Sequence, residues 1–131
     1  MADFFYLLAR VTMPLVFIVA GIGGLMNVTG YANTLAAKGI PQAAAAGYVI
    51  VAFQLVAGVL LVVGFKARWA ALALMAFTAG TIFMAHHFWD MEGVARALNQ
   101  TQALKNLAIM AGLLLFVLMG AGRYSVDGRD P

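Results

Sequence analysis

Four apolar runs punctuate the chain, at residues 4–26, 43–65, 69–87 and 104–121, separated by shorter stretches where polar and turn-forming residues gather. Each run is close to the ~20 residues that carry a helix across a bilayer core. The second and third are joined only by Lys66-Ala67-Arg68, which is too short for anything but an antiparallel helical hairpin. The pattern predicts one all-α unit over residues 1–131. It is a membrane four-helix bundle with antiparallel up-down topology and short interfacial helices in the outer loops.

Interruptions within the runs refine this picture. Arg10 and Pro14 stand four residues apart in the first run. Pro14 has no N–H for the Arg10 carbonyl, so a mild kink is expected there. Arg10 lies about two turns inside and is expected to snorkel to the near surface. Further along, Ala20, Gly21, Gly23 and Gly24 form a small-residue patch that lets another helix approach closely in lipid. The stretch 31–38 predicts a short interfacial helix, with Gly39 as its C-terminal cap and Pro41 opening the next helix. The second run carries Gln54 near its middle. The third has Ala76 and Gly80 as a small-xxx-small pair. Residues 88–102 are polar and predict an amphipathic turn or two, and the segment 122–131 is polar again.

Composition supports lipid as the solvent. Hydrophobic residues make up 64% of the chain and charged residues 10%, against ~45–50% and ~25% in soluble domains. A soluble chain of 131 residues could not bury that much apolar surface. The net charge of +3 comes from basic residues at the ends of apolar runs, which reads as topology and headgroup contact rather than nucleic-acid binding. With an even number of spans, Arg10, Lys66, Arg68, Arg123 and Arg129 share the side of the termini. Lys38, Arg96 and Lys105 occupy the other. That bias predicts cytoplasmic termini in a bacterial inner membrane. The first run opens on Asp3 and is too long for a secretory signal peptide. The chain has no cysteine, which excludes disulfides, thiolate catalysis, iron–sulfur clusters and thiolate zinc sites for this chain alone.

Candidate chemistry collects on the side away from the termini. His86 and His87 are the only histidines. Helical neighbours point ~100° apart, so the two do not readily share a metal, and no metal site is expected. Either could pair with Asp90 at i, i+4 or i, i+3 spacing. Lys105, pairing with Asp90 or Glu92, would close a polar cap with the histidines beside Phe88 and Trp89, with Asn106 next in the chain. Such a cap suits an anion or a quinone headgroup; the plainer reading is interfacial anchoring by Trp and Lys. Gln54 in mid-bilayer must find partners. It is expected as interhelical glue, with a polar wall lining an internal pocket as the alternative. Arg10 and Asp127 are expected to form a structural ion pair. Met84 and Met91 near His87 suggest copper chemistry, but methionine is ordinary packing filler. Sequons at Asn27 and Asn99 matter only in a secretory pathway. No nucleophile–base pair, phosphate loop or nucleotide motif is present.

Read in order, the chain resembles the DoxX family of small four-helix membrane proteins. The resemblance rests on Arg10 and the apolar run into Ala20-Gly21; Lys38-Gly39-Ile40-Pro41; Phe53-Gln54-Leu55-Val56-Ala57-Gly58 continuing to Gly64; the basic turn before Trp69; His86-His87-Phe88-Trp89; Lys105-Asn106-Leu107-Ala108; and the tail from Gly120 through Arg123 and Ser125 to Asp127. Order and spacing carry it, since no single piece is specific. Members are similar to the membrane subunit of a thiosulfate:quinone oxidoreductase, and others are linked to oxidative-stress complexes. The resemblance therefore implies the membrane subunit of a redox system, with quinone as its ligand, a redox protein as partner and at most an oxidoreductase subunit's role in catalysis. This chain departs from the family at Gln54, where a glutamate is frequent, and at Gly24, where a lysine is frequent. Two other readings stand beside it. One is a metabolite or anion transporter built as a homo-oligomer through small-residue stripes; the other is a partner-binding membrane module without chemistry.

Overall fold

The computed structural model describes residues 1–128; Arg129 lies outside the described residues. The chain folds into helices α1 (Ala2–Thr12), α2 (Leu15–Met26), α3 (Val28–Ala37), α4 (Ala43–Val63), α5 (Ala67–Ala85) and α6 (Gly93–Met119), with a 3-10 turn at Phe88–Asp90 and no strand among the described residues. Four stretches are long and apolar enough to cross a membrane: Ala2–Met26, Ala43–Val63, Ala67–Asp90 and Gly93–Met119. The bundle is therefore all-α with four passes, and α3 lies between the first two.

Several boundaries differ from the sequence expectation. The second span stops at Val63 because Gly64 takes a left-handed conformation, φ 73°. The third begins at Ala67 and ends at Ala85, short of both histidines. The largest change is at α6. The polar stretch expected as a separate surface turn is the start of one helix of 27 residues. At 1.5 Å per residue α6 is about 40 Å long, more than the ~30 Å hydrocarbon core. Its first turns, carrying Arg96 and Asn99, stand beyond the apolar part of the bundle. Around Gly39 the expected cap forms, with Ile40 N donating to Leu35 O at 3.1 Å and Gly39 N to Ala36 O at 3.0 Å. Two such bonds closing over a positive-φ glycine make a Schellman motif. Pro41 does not open α4; Gln42 intervenes as its N-cap.

Pro14 divides the first span where the sequence predicts a kink, and both halves lie against α4. α1 reaches α6 through side chains: the Tyr6 ring stands edge-on to Phe116 at 5.6 Å, and Met13 covers Gly112. α2 makes the more extensive contact with α4. Glycine makes that approach possible on both helices. A Cβ on Gly21 would meet Leu55 Cγ at 2.8 Å, one on Gly24 Val51 Cγ2 at 2.7 Å, and one on Gly58 Ile18 Cγ1 at 2.7 Å. Gly23, also part of the predicted patch, has no neighbour within 4 Å. The solid core sits toward the termini, where Leu61, Leu74 and Leu113 are fully buried among Phe17, Ala57 and Phe116.

The terminal end is closed by charges placed against helix ends. Arg10 does not snorkel: it is 2% exposed. Its Nε donates to Val62 O at 3.2 Å, Nη2 to Tyr124 O at 2.6 Å, and Nη1 to Ala121 O. Val62 belongs to the last turn of α4, whose carbonyls have no partner within the helix. Asp127 does not pair with Arg10; its Oδ2 accepts from Ala67 N, at the start of α5, at 2.9 Å. The expected ion pair is thus replaced by two helix-end interactions, a cation on the C-terminal end of α4 and an anion on the N-terminal end of α5. Both have the sign the helix dipole favours. Arg68 does the same for α6, donating to Val117 O at 2.8 Å and Leu118 O at 2.6 Å. The tail is riveted to the α4–α5 turn by Val126 N to Val63 O at 3.1 Å and Asp127 N to Gly64 O at 2.8 Å. Gly64 sits under this junction, where a Cβ would meet Arg10 Cζ at 3.2 Å and crowd Ser125. Gly64→Ala is therefore expected to cost about 2 kcal/mol or more, combining left-handed strain with the clash. A lowered thermal midpoint of the detergent-solubilised protein checks this, and an unchanged midpoint contradicts it.

Candidate functional site

The half of the bundle away from the termini is not filled. A cavity of about 530 Å³ opens among α2, α3, α4, α5 and α6, within the size range of small-molecule pockets. Its walls are mainly apolar, with Phe17 and Ala20 from α2, Ile50 from α4, Phe77 from α5 and Ile109 from α6. Each of the later three spans adds a polar group at similar depth: Gln54 from α4, Thr78 and Thr81 from α5, and Asn106 from α6. Helical periodicity turns these few positions inward while lipid-facing neighbours remain apolar.

Most of these polar groups are already satisfied. Asn106 Nδ2 donates to Thr81 Oγ1 at 2.8 Å, Thr81 Oγ1 to Thr78 O at 2.7 Å, and Thr78 Oγ1 to Leu74 O at 2.7 Å. Gln54 is the exception. It is 7% exposed, and its Oε1 is buried with no hydrogen-bond partner among the described residues. Leaving such an acceptor unpaired costs about 1–3 kcal/mol. Gln54 is therefore a wall of a pocket rather than interhelical glue.

His86 stands at the mouth. Its Nδ1 lies 3.0 Å from Asn99 Oδ1, while Asn99 Nδ2 donates to Ala95 O at 2.9 Å. The amide oxygen accepts, so Nδ1 donates in this contact and Nε2 is left without a partner among the described residues. Tyr31, Thr34 and Lys38 roof the cavity from α3. Burial raises the Tyr31 phenol above its ordinary pKa, so it stays protonated and able to donate. Lys38 Nζ donates to Ala85 O at 3.3 Å, tying α3 to the end of α5.

Of the sequence candidates, the cavity gathers Gln54, Asn106 and His86. His87 Nδ1 pairs with Asp90 Oδ1 at 2.6 Å without a continuing helix, since α5 has already ended. Trp89 packs edge-on against Phe83 at 5.7 Å and Phe88 at 5.6 Å. None of these three lines the cavity. Lys105 does not reach Asp90 or Glu92; its Nζ donates to Gln102 Oε1 at 3.4 Å on the exposed face. The polar cap drawn from the sequence is thus split, one part turned inward and one outward. Tyr31, Thr34, Lys38, Thr78 and Thr81 were missed. The threonines carried a legible signal, a polar pair at i, i+3 inside an apolar run; Lys38 and Tyr31 carried none. Among the described residues no three of His, Cys, Asp and Glu come together to hold a metal.

Comparison with known proteins follows the same outline. A family model described as DoxX matches residues 5–87. Inner membrane protein YphA of Escherichia coli K12 is 34% identical over 123 residues, covering 94% of this chain and 88% of its own length. Inner membrane protein YqjF of the same organism is 35% identical over 127 residues, covering 92% and 88%. A Surfeit locus protein 4 homolog of Schizosaccharomyces pombe is 32% identical over 72 residues, which is 53% of this chain and 24% of that protein. No solved structure matches the chain.

Proposed function

The chain belongs to the DoxX family, and from that premise we propose that it is the membrane subunit of a redox system whose ligand is a quinone or its quinol. The unpartnered Gln54 Oε1 beside a mainly apolar cavity carries the reading. A group without a hydrogen-bond partner beside a mainly apolar, membrane-embedded pocket matches an amphiphile with a small polar head. The cavity offers both kinds of group, Gln54 Oε1 as an acceptor and the Tyr31 phenol and Lys38 ammonium as donors, which suits the ring oxygens of a quinone-type head. Phe17 and Phe77, whose rings lie edge to face at 6.4 Å, offer an aromatic surface to its ring. The electron acceptor sits on a partner protein of the redox class, since this chain supplies no thiolate and only two histidines.

In this reading the protein resides in a bacterial inner membrane, as its relatives' names state for them, with the basic terminal end in the cytoplasm and the cavity in the outer half of the bilayer. The test is equilibrium binding of a short-tailed quinol and its quinone to the purified protein in nanodiscs. Saturable binding of at least one of the two forms is expected. Binding of neither form overturns the proposal. The Lys105→Gln variant, altered outside the cavity, should bind as the parent does.

A further inference from the structure

We propose that the cavity is loaded sideways from the lipid, through the cleft between α2 and α6, while α3 stays shut above it. This rests on the amphiphile reading and adds its route. Packing narrows the other sides, although Thr34, Lys38 and Met84 at the roof are exposed as well. Toward the termini stand the buried Leu74 and Leu113. α4 packs along α5, and α5 along α6. α2 is drawn onto α4 by Gly21, Gly24 and Gly58. Overhead, α3 rests on Gly47 through Leu35 and Tyr31, each 3.7 Å from where a Cβ would be, and Lys38 ties it to Ala85.

The remaining side is the one that Pro14 creates. Below the kink, α1 holds α6 through Tyr6 and Met13. Above it, α2 continues along α4, and Val16 and Ala20 line the cavity together with Asn106 and Ile109 of α6. Val16 and Ala20 are both exposed, on a surface that lipid covers. About 530 Å³ encloses a ring-sized head and a few carbons, not a long prenyl or acyl tail as well. A slit along the bilayer lets the tail stay in lipid while the head sits by Gln54. A hole at the roof would draw the tail into water, at about 0.8 kcal/mol per exposed methylene. The site therefore takes single-tailed amphiphiles with a small polar head, and takes them from the membrane phase.

The chain has no cysteine, so introduced pairs react alone. Ala20→Cys with Ile109→Cys spans the cleft, and Val16→Cys with Ile109→Cys repeats the measurement should the first pair fold poorly. Thr34→Cys with Ala85→Cys spans the roof. Each protein is loaded with decylubiquinol, tethered with a flexible bismaleimide, and diluted into empty nanodiscs. A tethered cleft should slow release at least tenfold, and tethering before loading should slow uptake equally; a tethered roof should change neither. Retention rather than expulsion also shows that the tether does not merely occupy the pocket. Release from the cleft-tethered protein at the untethered rate, or trapping by the roof tether, overturns the route while leaving the ligand reading intact. Failure of the untethered protein to take up quinol overturns both.

Discussion

Arg10→Ala should leave almost no folded protein in the membrane. The side chain is buried and bonds three carbonyls, those of Val62, Ala121 and Tyr124, which join α1, the end of α4 and the tail. Removing it strands acceptors that have no water to turn to. With about 1–3 kcal/mol for each of three unsatisfied groups, the loss is on the order of 3–9 kcal/mol. That rivals the whole stability of a small domain, ~5–15 kcal/mol. Arg10→Lys should recover only part of it, because an ammonium is a point donor and cannot span three carbonyls as the guanidinium fork does. The measurement is the amount of monodisperse protein after mild-detergent extraction, with its thermal midpoint. Parent-like yield and midpoint for Arg10→Ala would refute the role given to the guanidinium.

Gln54→Leu should move two readouts in opposite directions. Leucine is close in volume and has no polar atom, so replacing the orphaned amide oxygen removes an unfavourable burial of about 1–3 kcal/mol. The thermal midpoint of the ligand-free protein is expected to rise by several degrees. Quinol affinity is expected to fall at least tenfold, about 1.4 kcal/mol, because the head loses the acceptor that waits for it. A purely structural glutamine would behave otherwise: stability would fall and any binding change would follow the loss of fold. Higher stability with unchanged affinity would remove Gln54 from the site and leave the pocket without its deepest polar contact.

The architecture was legible because lipid permits few solutions. A backbone without water must satisfy itself, so an apolar run of the right length becomes a helix. The capping at Gly39 and the break at Pro14 follow from local stereochemistry, and both stand where the residues suggest. The site was less legible because it depends on how helices diverge. Lys105 and Asn106 are adjacent in the chain, yet ~100° of rotation sends one to the surface and the other into the cavity. Arg10 and Asp127 were paired by charge alone, whereas each sits on the dipole end of a different helix. That choice is invisible until the α4–α5 turn is seen to lie between them. Lys38 reached the cavity roof only because α3 folds back over the bundle.

The tail that grips this turn has a consequence for biogenesis. Two of the three acceptors of Arg10 are supplied by residues 111 and 114 positions later. At the ~5–20 residues per second of translation, the guanidinium waits some ten seconds in the bilayer before they exist. During that interval the first three hydrophobic segments can insert while the guanidinium still lacks two of its acceptors. Insertion of those spans and closure of the Arg10 junction are thus separate events, and a nascent chain halted between them presents the membrane's proteases with spans that are threaded but not yet locked.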